Sequence, residues 1–431
     1  MKASRYSHCF QSLEGNVVFN SLSKSFVEMG ESDYKALEGE DWGHFEKDEL
    51  TMLYGNGFAV DDSFDERAFL SYQLDRSRYS TELLSLTIAP TLSCNFACPY
   101  CYESPRSGFL DEDGLNAILE FVEDNYRLNR FRKMQVNWYG GEPMLCISQI
   151  ADWSAKFISF CEKHEVGYLS HMITNGSLVN EGNISLIKSS RITNVQVTID
   201  GWADRHDRRR PARNGEPQFA TILSAIELLA ENGIEVSCRM NVDENNISDY
   251  ERVAERFSGC QNVYVHVGHL RDYEPLDQEE FNCFSCSSFS AAELEIFKSS
   301  GYTLEDFKNI FSNRRLFCGA CTENSYVVDE RCNVYKCWND IGNSDAVIFN
   351  LLEDAETRRV NYGALLKYMK WDPFAEPSCS RCKWMPICGG GCVFETTILG
   401  EPFCYPPVYS IDDYLSLYYE EVKRDEAGQE S

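Results

Sequence analysis

Between residues 83 and 268, short apolar runs alternate with longer segments whose apolar positions recur every three to four residues. LLSLTIA, KMQVNWY, YLSHMIT, NVQVTID, EVSCRMNV and NVYVHVG have the length and composition of buried strands. Between them, DGLNAILEFVEDNY, ISQIADWSAKFISFCEKH, NISLIKSS, FATILSAIELLAENG and DYERVAERFSG carry helical periodicity. Near-continuous apolar strands separated by helices imply a parallel sheet wrapped by helices. The pattern predicts an α/β fold with six strands from Leu83 to Gly268, a partial (β/α)6 TIM-like barrel with its reactive end at the C-terminal ends of the strands.

At 431 residues the chain exceeds one ordinary core and is expected to divide into domains. No apolar stretch reaches the roughly 18 to 20 residues of a membrane span, and the start, MKASRYSHCF, lacks the apolar centre of a signal peptide. A cytoplasmic protein with no membrane partner is expected. The net charge of −28 opposes nucleic-acid binding, which needs basic patches against phosphate. Solubility and attraction to a basic peptide account for the acidity equally well. Nineteen cysteines cluster by spacing, and in a reducing cytosol such clusters indicate metal or redox chemistry.

The run SCNFACPYCYE places Cys94, Cys98 and Cys101 where one short loop offers three thiolates. Tetrahedral zinc usually takes four ligands, whereas a cubane iron–sulfur cluster is held by thiolates on separate irons, and three of them leave one iron open. This spacing, with the aromatic Tyr100 inside it, resembles the signature of the radical S-adenosylmethionine (SAM) superfamily. The resemblance implies a 4Fe-4S cluster on Cys94, Cys98 and Cys101 with SAM chelated to its open iron.

Loops after successive strands strengthen the resemblance. Gly140-Gly141-Glu142-Pro143 matches the family's GGEP segment at the SAM amino group; glycines admit close backbone approach, and a carboxylate accepts from an ammonium. Asn175, in Thr174-Asn175-Gly176, and Thr198 and Asp200, in Thr198-Ile199-Asp200-Gly201, suit ribose hydroxyls. His206-Asp207-Arg208-Arg209-Arg210 resembles an HD-x-x-R stretch whose last arginine, Arg210, pairs with the SAM carboxylate. Arg239 and Asn241 end the fifth strand on one side, which adds Arg239 to the cofactor-binding set.

The C-terminal third resembles a SPASM domain, the extension that carries auxiliary clusters in peptide-modifying radical SAM enzymes. CSRCKWMPICGGGC supplies Cys379, Cys382, Cys388 and Cys392, followed by Cys404, and FCGACTENSYVVDERCNVYKCW supplies Cys318, Cys321 and Cys337. By the family's interleaving, Cys379, Cys382, Cys388 and Cys404 hold one cluster, and Cys318, Cys321, Cys337 and Cys392 the other, making three 4Fe-4S clusters in all. Cys332 stands where the family usually has glycine, which leaves three alternatives: Cys321 as the fourth ligand, Cys332 as the fourth ligand, or one iron left open. Zinc competes for paired C-x-x-C units. Cys9, Cys146, Cys161, Cys238 and Cys260 read as buried hydrophobes; Cys283 and Cys286 are open between structural and redox, substrate or ligand roles.

Residues 1–82 read as a hairpin (SHCFQSLEGNVVFN), two short helices and a strand entering a linker. They resemble the winged-helix module with which peptide-modifying enzymes hold a leader peptide, as an added strand; a plain cover for the barrel is the other possibility. The expected organisation is 1–82 winged-helix-like module, 83–275 radical SAM barrel, 276–317 helical bridge, 318–410 SPASM domain, and 411–431 C-terminal helix and tail. The resemblance implies an oxidoreductase that cleaves SAM reductively to a 5'-deoxyadenosyl radical, takes hydrogen from a precursor peptide and draws electrons from a flavodoxin or ferredoxin-type donor. Anaerobic sulfatase maturases carry an Asp proposed as a base right after the cysteine matching Cys337. Here that residue is Trp338, which cannot take a proton. The expectation is a maturase that installs a thioether or carbon–carbon crosslink. Formylglycine formation and a non-enzymatic electron carrier are the alternatives.

Overall fold

The structure, a computed structural model, describes residues 1–12, 15–103, 105–273, 276–314 and 318–429. The turn of the N-terminal hairpin at residues 13 and 14 and the expected domain junctions at 275 and 317 lie outside the described residues. The chain forms two compact units: residues 79–284 with 319–370, and residues 1–78 with 285–318 and 371–431.

The first unit contains the six expected strands: β1 (Leu83–Ile88), β2 (Lys133–Trp138), β3 (Gly167–Thr174), β4 (Ile192–Ile199), β5 (Glu235–Val242) and β6 (Val263–His269). They pair in chain order, each parallel to the next. Helices α1 (Glu112–Asn129), α2 (Ile147–Lys163), α3 (Ile184–Ser189), α4 (Asp204–Arg209), α5 (Phe219–Glu231) and α6 (Tyr250–Phe257) occupy the crossovers. Beyond β1 the sheet continues through β7 (Ser325–Val328), parallel to β1, and the antiparallel β8 (Asn333–Tyr335) and β9 (Phe349–Asn350). The sheet is thus open, with β6 and β9 at its edges.

One feature of the strands differs from the expectation of near-continuous apolar runs. Only alternate positions are core: Leu84, Leu86 and Ile88 on β1, Met134, Val136 and Trp138 on β2, and Val236, Cys238, Met240 and Val242 on β5 are buried. The intervening positions are largely polar, including Thr87, Gln135, Asn137, His171, Gln196, Thr198, Ser237, Arg239 and His266. Side chains alternate along a strand, so one face of the sheet packs apolar residues and the other presents polar groups, as a substrate cleft requires and a filled barrel does not.

In the second unit, strands Ser7–Ser12, Gly15–Asn20 and Phe26–Glu28 form an antiparallel sheet in that order, and Lys2–Ala3 pairs with Ala59–Val60. Helices Glu31–Glu38 and Lys47–Gly55 stand where the sequence predicts them. Glu66–Arg78, expected as linker, is a third helix; its stripe Glu66, Leu70, Leu74, Arg78, one residue in four, is buried. Phe10, Val17 and Phe19 share a core with Leu294, Phe307, Phe311, Ile387, Ile411 and Tyr414. Arg67 and Arg78 donate to the carbonyls of Phe374 and Trp371. The N-terminal sheet is therefore built into the same core as the segment carrying Cys379 to Cys404.

Candidate active site

β1 ends at Ile88 and delivers the cysteine loop, which leans on the segment after α4. Phe96 bridges to Ala212, the Ala97 amide donates to Pro211 O (2.9 Å), and Arg213 donates from its amide to Asn95 O (2.8 Å) and from Nε to Cys94 O (3.0 Å). The three thiols converge. Burial raises each above its ordinary pKa, Cys94 to about 11 and Cys101 to about 12; Cys98 acts on both, and Cys94 on Cys101.

The loop after β2 closes on this one from the other side. The Tyr139, Gly141 and Glu142 amides donate to Ile88, Thr91 and Ser93 carbonyls. Gly140 has φ +106°, and a Cβ there would stand 2.4 Å from Thr91 O; one on Gly141 would stand 2.4 Å from Ser93 O. The missing side chains thus make room for the cysteine loop's own backbone. Glu142 is fully buried and accepts from the Met144 amide (2.9 Å), the Thr174 hydroxyl (2.6 Å) and the Asn175 amide (2.8 Å). Three of the carboxylate's roughly four acceptor sites are occupied. Pro143 opens the short turn that follows. Asn175 Nδ2 donates to Asn95 Oδ1 (2.8 Å), linking the end of β3 to the cysteine loop.

On the opposite flank, Arg210 is buried and donates to the Tyr100 hydroxyl (2.5 Å), with Asp200 at 3.8 Å. His206 Nδ1 accepts from the Asp200 amide (3.2 Å), so its proton sits on Nε2. Asp207 caps α5 through the Gln218 and Phe219 amides. Arg209, fully buried, pairs with Asp243. Arg239 donates to Asn241 (2.9 Å), and its guanidinium is felt by Tyr139, Tyr100 and Asp200. Thr198 is buried at the register position beside Arg239.

Residues that sequence reasoning passes over complete the site. Glu103 is 6% exposed, its Oε2 has no hydrogen-bond partner, and burial followed by repulsion from Glu142 and Glu330 lifts it to about 8. Nothing in the sequence marks that burial. The donor set fits the expected cofactors: three converging thiols beside a buried guanidinium whose Nε is unpartnered and a buried carboxylate oxygen in the same condition.

Among the C-terminal cysteines, Cys379, Cys382, Cys388 and Cys404 converge: the other three all act on the Cys404 thiol, and Cys388 and Cys404 share a hydrogen bond. In the same unit Cys318 acts on Cys392. Cys321 and Cys337 belong to the sheet unit. There Lys336, buried and missed in the sequence, donates to the carbonyls of Thr322 (2.5 Å), Ser325 (2.6 Å) and Glu323 (3.3 Å), drawing the segment after Cys321 to the one before Cys337. Cys332 lies apart, its Sγ against the first turn of α1 near Gly114. Among the described residues no three His, Cys, Asp or Glu side chains close on a single metal ion; cubane thiolates sit on separate irons, so this bears on single ions only. No helix among them is long and apolar enough to cross a membrane.

Residues 88–257 match the model of the Radical SAM superfamily. The chain is 22% identical over 338 residues, 72% of its length and 87% of the other, to a cysteine-type anaerobic sulfatase-maturating enzyme of Clostridium novyi (strain NT). It is 25% identical over 190 residues, 43% of its length and 41% of the other, to the sporulation killing factor maturation protein SkfB of Bacillus subtilis (strain 168). A structure of native anSMEcpe with bound AdoMet and Cp18Cys peptide covers 79% of this chain, and 98% of its own, at TM-score 0.60 and 20% identity, a likeness of fold. The superfamily implies SAM and a 4Fe-4S cluster, and the converging thiols of the loop after β1 supply the ligands such a cluster needs. Residues 88–257 are accordingly a radical SAM domain, and the chain that carries it is an enzyme.

Proposed function

We propose that the enzyme matures a ribosomally made precursor peptide in the cytoplasm, installing a thioether or carbon–carbon crosslink. Cys94, Cys98 and Cys101 hold the SAM-binding cluster; Cys379, Cys382, Cys388 and Cys404 hold one auxiliary cluster, and another draws on Cys337. Held by Cys94, Cys98 and Cys101, a reduced cluster with SAM would supply the radical chemistry that takes a hydrogen atom from the peptide. The protein's part is to orient and to exclude side reactions. Arg210 and Arg239 would offer guanidinium donors to the SAM carboxylate, the backbone at Gly140 to Pro143 would take its amino group, and Asn175, Thr198 and Asp200 would bind its ribose. Glu142 keeps the first of these loops in place. An external flavodoxin or ferredoxin-type donor supplies electrons.

The observation that carries the crosslinking reading is the surroundings of Trp338. The ring stacks on Tyr139, and the nearest carboxylate on its turn, Asp340, is buried and bound by the Tyr368 hydroxyl (2.5 Å). The position that needs a base for formylglycine formation thus has an indole and a carboxylate already engaged. Sulfatase maturation remains the second reading, favoured by the Clostridium novyi relative. The cluster assignment is tested by iron content after anaerobic reconstitution: about twelve irons for three cubanes, and about eight when Cys94, Cys98 and Cys101 are all changed to Ala. Unchanged iron in that triple variant, or stoichiometric zinc in the wild type, would refute it.

A further inference from the structure

Tyr102 follows Cys101, Trp338 follows Cys337, and Tyr139 precedes Gly140. These three residues, far apart in sequence, form one continuous array in the sheet unit. The Tyr102 and Tyr139 hydroxyls hydrogen-bond to each other. The Tyr139 ring stacks on Trp338, centroids 5.7 Å apart and planes at 28°. Tyr102 also meets Tyr273 edge-on, centroids 6.3 Å apart, and both ends of the array are part-exposed, Tyr102 at 37% and Trp338 at 44%. What the ends share is a cysteine on the adjoining peptide bond. After burial, the largest influence on the Tyr139 hydroxyl is Cys101, and Cys337 acts on it as well.

We propose that Tyr102, Tyr139 and Trp338 form a path for single electrons between the cluster site at Cys94, Cys98 and Cys101 and the cluster site at Cys337. The inference rests on the proposed function, which places iron–sulfur clusters at both. Every through-space gap in the array is ring to ring or hydroxyl to hydroxyl, and stacked π systems couple electronically better than saturated side chains do. In the step, one electron leaves the reduced cluster at Cys337 and one is gained by the oxidised cluster on the cysteine loop. No bond forms or breaks, and both tyrosines keep their protons. The path returns to the SAM site the electron that a substrate radical releases when its new bond closes.

Trp338→Leu removes the ring next to Cys337, Trp338→Phe keeps an aromatic there, and Tyr102→Leu breaks the other end. Reconstituted protein receives a substoichiometric pulse of photochemical reductant, and freeze-quench EPR follows the signal that added SAM perturbs against those it leaves unchanged. Intercluster equilibration is expected to slow at least about tenfold in both Leu variants and to stay within about threefold of wild type in Trp338→Phe, with wild-type iron content. Wild-type rates in both Leu variants overturn the path. Loss of iron in Trp338→Leu leaves the decision to Tyr102→Leu, where slowing with full iron content supports the path and a wild-type rate overturns it. A Cys337→Ala protein that keeps every SAM-insensitive signal and its full iron removes the cluster from Cys337, and so overturns the underlying reading together with the path.

Discussion

Both oxygens of Glu142 are engaged by protein donors on two different loops, so the carboxylate acts first as a bracket between β2 and β3. Glu142→Ala leaves the Met144 and Asn175 amides and the Thr174 hydroxyl unsatisfied in a buried place, which costs about 3 kcal/mol. A lowered thermal midpoint and weakened SAM binding are expected together, and an unchanged midpoint would show that the bracket is dispensable. Cys332 is the second informative residue. It has φ +64°, the left-handed conformation for which glycine is best suited, and after burial its neighbours in charge are Asp329, Asp111 and Glu330 rather than another cysteine. Cys332→Gly should therefore keep its full iron and change stability by less than about 1 kcal/mol, relief of the backbone offsetting the lost thiol packing. Iron loss on reconstitution would make Cys332 a ligand. The family's glycine at this place explains the conformation, but a sequence that has Cys there gives no sign of which role the thiol takes. Glu103 and Lys336 were equally hidden, because their importance lies in burial and in carbonyls that only the folded chain brings near.

Among the elements, the six barrel strands were legible because each is a short apolar run set off by helical periodicity. The polar face they present was not, since Arg239, His266 and Asn137 interrupt the runs singly and read as tolerated exceptions. Helix Glu66–Arg78 was hidden for a similar reason: two of the four buried positions in its stripe are charged. The N-terminal sheet offers a direct test of leader binding. Asn20 and Met29 anchor the pairing through Asn20 N to Ser25 O and Met29 N to Asn16 O, so the antiparallel alternation turns the Phe26 and Glu28 amides outward. Glu28→Pro takes one outward donor from this edge without removing a ladder bond. If a leader adds there as a strand, its affinity should fall about tenfold, near 1.4 kcal/mol, while the clusters stay intact. Equal leader affinity in a titration of the two proteins would exclude that edge. Deleting residues 1–82 is a poorer test, because Phe10, Val17 and Phe19 belong to a core shared with Ile387 and Tyr414.

At the scale of the whole molecule, five consecutive segments expected from the sequence correspond to two compact units, each assembled from distant stretches. Periodicity and cysteine spacing are local signals and do not show that residues 319–370 extend the sheet of the radical SAM domain through β7, or that 285–318 and 371–431 fold with the N-terminus. The cysteine loop, the GGEP loop and the Arg210 segment were legible because each follows a strand in order, and the parallel sheet brings strand ends together. The crosslinking proposal rests on Trp338 alone, because the other residues proposed for the site would serve any radical SAM reaction. The most direct measurement is mass spectrometry of a candidate precursor peptide, sought among small open reading frames beside the enzyme's own, after coexpression with the enzyme, alongside a sulfatase-type peptide carrying the Cys or Ser target. Loss of two hydrogens per crosslink from the precursor, with the sulfatase peptide unchanged, is the predicted result; efficient formylglycine formation in the sulfatase peptide would contradict it.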